Sequence, residues 1–127
     1  METFILDASA LIALLYQEKG MEQVQKHLAS AEISSVNLSE VAAYMVKKGC
    51  QSSEILALLR DLALTIISFD ESQAHVAARL IEKTASKGLS FGDRACLALA
   101  LQRKCPVLTA DRVWGALEIG VKICLIR

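Results

Sequence analysis

Short apolar, often β-branched runs alternate with segments of helical periodicity along the whole chain, and this alternation narrows the possible folds most. Thr3 to Leu6, Glu32 to Ser35, Leu64 to Phe69, Pro106 to Thr109 and Val121 to Ile126 read as strands. Between them, Ala8 to Tyr16, Glu18 to Ser30 (with Met21, Val24 and Leu28 on one face), Asn37 to Lys48, Ser52 or Ser53 to Leu62, Asp70 to Ser86 and Ser90 to Leu101 read as helices. Asn37, Asp70 and Ser90 supply oxygens suited to N-caps, and Gly49 and Gly88 suit helix ends. Strands separated by helices predict an α/β fold, a parallel sheet covered on both faces and wound right-handedly. With 127 residues, one proline and no repeat or linker, residues 1–127 are expected to form a single domain.

Hydrophobic residues make up 54% of the chain and mean hydropathy is +0.39, so a partner interface is expected besides a core buried on both faces of the sheet. No stretch predicts a membrane span: Leu11 to Tyr16 is too short, and Arg60 and Asp61 interrupt Ile55 to Ile67. The N-terminal residues lack the pattern of a secretory signal, which makes cytoplasmic residence the default expectation. Cys50, Cys96, Cys105 and Cys124 show no Cys-x-x-Cys spacing; Cys50 suits a loop, the other three suit apolar surroundings, and neither a disulfide nor a zinc site is expected. Fourteen Lys and Arg balance fourteen Asp and Glu, but residues 64–127 carry nine basic and six acidic side chains. Arg79, Lys83, Lys87, Arg94, Arg103, Lys104, Arg112, Lys122 and Arg127 would suit a basic rim for a phosphate polyanion, and equally an ordinary solvated surface.

Four acids fall where such a fold gathers ligand-binding groups. Asp7 follows the first strand and Asp111 closely follows the fourth, while Glu40 and Asp93 lie in the openings of helices. Each also has a purely structural reading. Asp7 suits an N-cap, Asn37 with Glu40 and Ser90 with Asp93 have capping-box spacing, and Asp111 suits the positive end of a short helix. Helix ends offset only about 0.3–1 kcal/mol of repulsion each. Four converging carboxylates therefore call for a counter-ion, and all-oxygen ligands favour Mg²⁺ or Mn²⁺ over Zn²⁺. Such a site suits metal-assisted cleavage of a phosphodiester.

Nothing in the sequence competes for the chemistry. There is no Ser-His-Asp or Cys-His arrangement, and His27 and His75 lie in helical patterns. Phosphate-binding glycine loops are absent, so Gly92 reads as a close-packing residue. Ser9 and Thr109, each two residues from a key Asp, suit hydroxyls that orient a carboxylate.

The segments Leu6-Asp7-Ala8-Ser9, Ser39-Glu40-Val41, Leu89 to Ala100 and Val107 to Trp114 together resemble a PIN domain, and more narrowly the VapC-type toxins of bacterial type II toxin–antitoxin systems. The resemblance spans essentially the whole chain. It implies a three-layer α/β/α domain with a five-stranded parallel sheet in the order 3-2-1-4-5. It also implies an Mg²⁺- or Mn²⁺-dependent endoribonuclease, with Asp7, Glu40, Asp93 and Asp111 as catalytic and metal-binding acids and Thr109 and Ser9 in support. Expected partners are an RNA substrate, a cognate antitoxin lying in a groove near the site, and a second copy in a homodimer. The apolar helices around Leu11 to Tyr16 and Val41 to Val46 offer surfaces for a partner helix.

Two other classes use similar acids. A small-molecule phosphatase would want a second Asp two residues after Asp7, where Ser9 stands. A non-catalytic, Mg²⁺-binding receiver-like module would want a lysine near its last strand, for which Lys122 is the candidate.

Overall fold

The structure, a computed structural model, describes residues 2–127. Five parallel strands form one sheet in the order β3-β2-β1-β4-β5. They are β1 (Phe4–Leu6), β2 (Ala31–Ser34), β3 (Thr65–Ile67), β4 (Val107–Thr109) and β5 (Ile123–Leu125). The expected strands are all present; β2 is shifted one residue towards the N-terminus at the same length, and the other four are shorter than expected. β1 lies at the centre, with Phe4 and Ile5 opposite Ala31 and Glu32, and Ile5 and Leu6 opposite Val107 and Leu108.

Side chains alternate across this sheet and divide the core in two. Phe4, Leu6, Ile33 and Leu108 face α1 (Ala8–Leu15), α2 (Met21–His27), α3 (Ser35–Lys47) and α4 (Ser52–Asp61). Ile5 and Val107 face the opposite layer, which holds α5 (Glu71–Arg79), α6 (Ile81–Thr84) and α7 (Phe91–Arg103). The three-layer expectation is met. Residues 95 to 100 of α7 are buried without a break, so this helix packs on all sides. Its alanines keep helix propensity high while letting neighbours approach.

Several local readings shift. Ser34, not Asn37, caps α3 by accepting the Val36 N–H at 3.2 Å, so that helix starts earlier. Asp70 caps α5 as expected, but the predicted single helix to Ser86 divides into α5, α6 and a 3-10 turn over Ala85–Lys87. Helix α4 starts after Gln51 without a side-chain cap. Leu11 and Ala13 are buried, so much of the α1 surface offered to a partner is core. All four cysteines are free. Among the described residues no helix is long and apolar enough to cross a membrane.

The C-terminal residues are tied back to the α1–α2 turn. Arg127 donates to the Lys19 carbonyl at 2.9 Å and pairs with Glu18 at 3.3 Å. Gly20 adopts φ +97°, and a Cβ there would stand 2.4 Å from the Ile126 carbonyl oxygen. Gly49 has a similar φ of +94° in open space. Both glycine-to-alanine variants should lose about 1 kcal/mol or more from backbone strain. In urea denaturation Gly20→Ala should lose clearly more than Gly49→Ala, and equal losses would show that the close approach to Ile126 does not matter.

Candidate active site

The strand order fixes where a site can form. From β1 the chain winds outward through β2 to β3, whereas β4 leads to β5 on the other side. The reversal lies between β1 and β4, and the crevice at their carboxyl ends is the ligand-binding position of such sheets. Asp7 and Asp111 follow these two strands, and the Asp7 N–H donates to the Leu108 carbonyl at 3.0 Å.

Asp7 occupies the N-cap position of α1, yet its side chain caps nothing. Instead Oδ2 accepts from Ser9 Oγ at 2.6 Å and from Thr109 Oγ1 at 2.8 Å. Those hydroxyls in turn accept the N–H groups of Ala110 at 2.9 Å and Asp111 at 3.0 Å. Two turns on separate strands are thus joined through one carboxylate oxygen. Ser9 and Thr109 are thus the two hydroxyls that hold the Asp7 carboxylate.

Glu40 and Asp93 arrive from helices on opposite faces of the sheet. The Ser90–Asp93 capping box forms, with the Ser90 N–H donating to Asp93 Oδ2 at 2.9 Å. The Asn37–Glu40 capping box does not. Asn37 is buried, and its Nδ2 donates to Glu40 Oε1 at 2.7 Å and to the Gly92 carbonyl at 2.9 Å. Asn37 is the residue the sequence reading misplaced. Its spacing to Glu40 suited a cap, and only the serine at position 34, one turn earlier, hints that the cap lies elsewhere. Gly92 has the close-packing role expected of it: a Cβ there would stand 2.3 Å from Glu40 Oε2. The Glu40 carboxylate therefore lies against the backbone next to Asp93.

Electrostatics show which acids lie near Asp7. Asp7 is only 4% exposed, and its carboxyl is pushed up from 3.8 to about 6. Burial is the largest cause; Asp93 and Glu40 add repulsion, while the Ser9 and Thr109 hydrogen bonds act the other way. The fully buried Cys96 feels the same three acids, and burial first, then Asp7, Asp93 and Glu40, pushes its thiol well up. Cys96 is thus an inert floor beneath them. Asp111 stands at the rim, joined to Asp7 through Thr109 and capping a 3-10 turn by accepting the Val113 N–H at 3.0 Å.

Arg94 and Arg112 directly follow Asp93 and Asp111, whereas several other charged and titratable candidates lie elsewhere. Arg103 is twelve residues after Phe91 on α7, about 18 Å along the helix, and is paired with Glu32. Arg127 is paired with Glu18, so neither belongs to a free basic rim. Lys122 precedes β5 and so lies at the sheet edge opposite Asp7. His27 packs against Phe4 at 4.1 Å between ring centroids, and His75 is exposed beside Glu71.

The residues present suit a hard divalent cation. Each of the four carboxylates accepts protein hydrogen bonds on one oxygen, and among the described residues the other oxygen has no protein donor. Among the described residues no group of three or more His, Cys, Asp or Glu side chains is drawn close enough to hold a metal ion together.

Asp7 also makes stability depend on pH. A carboxyl with a folded value above its unfolded value binds more protons when folded, so metal-free stability should fall as pH rises from about 4 to about 6. That rise in the carboxyl's value corresponds to roughly 3 kcal/mol. In EDTA, Asp7→Asn should flatten this slope and be more stable than the wild type at pH 7. An unchanged slope in urea titrations would refute the burial argument. Gly92→Ala should displace the Glu40 carboxylate and weaken Mn²⁺ binding in calorimetry about 10–100-fold, as loss of a ligand's positioning does.

The PIN domain family model matches residues 4–119. No curated protein sequence matches significantly. Among solved structures, DNA-bound VapBC from Salmonella typhimurium is similar at TM-score 0.76 and 21% identity, covering 100% of each chain. VapBC-5 from Mycobacterium tuberculosis is similar at TM-score 0.67 and 25% identity, covering 100% of this chain and 99% of that one. VapC20 from Mycobacterium tuberculosis, a Sarcin-Ricin loop cleaving toxin, has TM-score 0.70 and 13% identity, with 94% and 98% covered. With the family model spanning nearly its whole length and the acids at the reversal of the sheet, this chain belongs to the PIN domain family.

Proposed function

We propose that this protein is the ribonuclease toxin of a toxin–antitoxin pair, cutting RNA phosphodiesters with Mg²⁺ or Mn²⁺. The observation that carries this reading is the buried Asp7 at the β1–β4 crevice with Glu40 and Asp93 near it and Asp111 linked through Thr109, each acid with one oxygen held and, among the described residues, the other without a protein donor. Support comes from the similar folds of VapBC toxin–antitoxin complexes and of a Sarcin-Ricin loop cleaving toxin.

Asp7, Glu40 and Asp93 would hold the principal ion, and Asp111 would help bind or support a second. When bound, the metal supplies the Lewis acidity that polarises a phosphodiester and acidifies water. The protein's part is positioning. Ser9 and Thr109 fix one oxygen of Asp7, Asn37 fixes one oxygen of Glu40, and Ser90 fixes one of Asp93. Burial of Asp7 makes its ionised form costly without a cation, which favours binding one.

An antitoxin has a fitting surface beside these acids. Leu38, Ala42 and Val46 on α3 and Ile55, Leu56 and Leu59 on α4 line an apolar cleft of about 470 Å³. Val46 and Leu56 are more than half exposed there. An amphipathic antitoxin helix laid in this cleft would sit against α3, the helix that carries Glu40. A homodimer is the proposed assembly, to be checked by light scattering. Lys122, at the wrong edge, gives a receiver-like module no support.

Purified protein should cleave RNA with Mn²⁺ and stop in EDTA. Asp7→Asn should abolish cleavage, and Thr109→Val should lower it about 10–100-fold. Cleavage unaffected by EDTA, or equal in Asp7→Asn, refutes the reading. Turnover of small phosphate esters without RNA cleavage would establish a phosphatase instead.

A further inference from the structure

Phe91 opens α7 two residues before Asp93 and is 52% exposed. Its ring is held edge-on against Phe69, with centroids 5.5 Å apart and planes at 90°. Phe69 is itself fixed, since its N–H donates to Ser35 Oγ at 3.1 Å in the first turn of α3. Beside the two rings lies a cleft of about 210 Å³, walled by the small side chains of α5, by Ile81 and by Arg94. The Arg94 guanidinium is steadied by donating to the Leu89 carbonyl at 2.9 Å.

We infer that Phe91, backed by Phe69 and Arg94, is a stacking platform for an unpaired nucleobase next to the scissile phosphate. The inference rests on the ribonuclease reading and adds how substrate is held. Three observations favour a base. The ring stands in the first turn of α7, at the same helix end as Asp93. Edge-to-face contact with Phe69 restrains the Phe91 ring, so little rotamer freedom is lost on binding. The cleft combines two aromatic rings with a guanidinium, the groups on which unpaired bases stack. Stacking tolerates any base, so the platform would fix the strand's position without reading its sequence.

The test uses full-length Phe91→Trp in an Asp7→Asn background, which binds without cutting. Added unstructured oligoribonucleotide should quench the new tryptophan, while the buried Trp114 gives a constant signal. An abasic oligomer of equal length and charge should not quench. In the cutting enzyme, Phe91→Ala should raise KM about tenfold or more with a smaller change in kcat. Phe91→Tyr should restore KM and Phe91→Leu should not. Equal quenching by the abasic oligomer, or full rescue by leucine, overturns the platform. So does an unchanged KM in Phe91→Ala together with loss of dimer in light scattering, which would assign this face to a second copy. If the wild type cuts no RNA, the ribonuclease reading fails by that result, and base-dependent quenching alone decides the platform.

Discussion

The pairing of β1 with β4 at the centre of the sheet is the constraint on which the site depends. The chain reverses its direction of winding between these strands, so no helix covers the gap at their carboxyl ends. Asp7 enters that gap one residue past β1, and the hydroxyls of Ser9 and Thr109 both close on its Oδ2. Backbone N–H groups from the turn after β4 then satisfy the same hydroxyls. A buried carboxylate is thereby supplied with donors, but the desolvation cost still exceeds what they return, and the carboxyl stays hard to ionise. Such a group is poised for a cation.

Helix α7 carries the second half of the arrangement. It packs on every side, so its position is set by the core and not by its own exposed surface. That fixes the turn holding Phe91, Gly92 and Asp93 at the crevice and sets Cys96 beneath the acids. The far end is fixed by Arg103 pairing with the nearly buried Glu32 on β2. Because Gly92 has no side chain, α3 can approach closely enough to bring the Glu40 carboxylate against α7. Asn37 bridges the two helices by donating to both Glu40 and Gly92. Carboxylates from opposite layers are thus brought near one buried strand end.

Much of this was legible in the residues. The alternating elements and the apolar strands specify a parallel sheet, since central strands buried on both faces carry continuous hydrophobic runs. The strand order was legible only through the family resemblance. The Asp70 and Ser90 caps were readable because their partners lie three residues away. Asn37 was not readable in the same way. Its spacing to Glu40 fits a capping box, and whether it caps depends on where α3 begins, which Ser34 decides. The single helix expected from Asp70 to Ser86 divides near Leu80, although the local pattern shows no breaker.

The sequence by itself determined the secondary elements, the four acids and the oxygen-rich character of their surroundings, because periodicity and side-chain chemistry are local properties. Only the tertiary structure decided which of these acids meet. Asp7 is buried with the more exposed Glu40 and Asp93 near enough to repel it, while Asp111 stays at the rim and is linked through Thr109. It also decided that Asp7 caps no helix, and that two basic candidates for a phosphate-facing rim are engaged by Glu32 and Glu18. Those outcomes depend on burial and on contacts between residues as far as 109 positions apart, which no local pattern encodes.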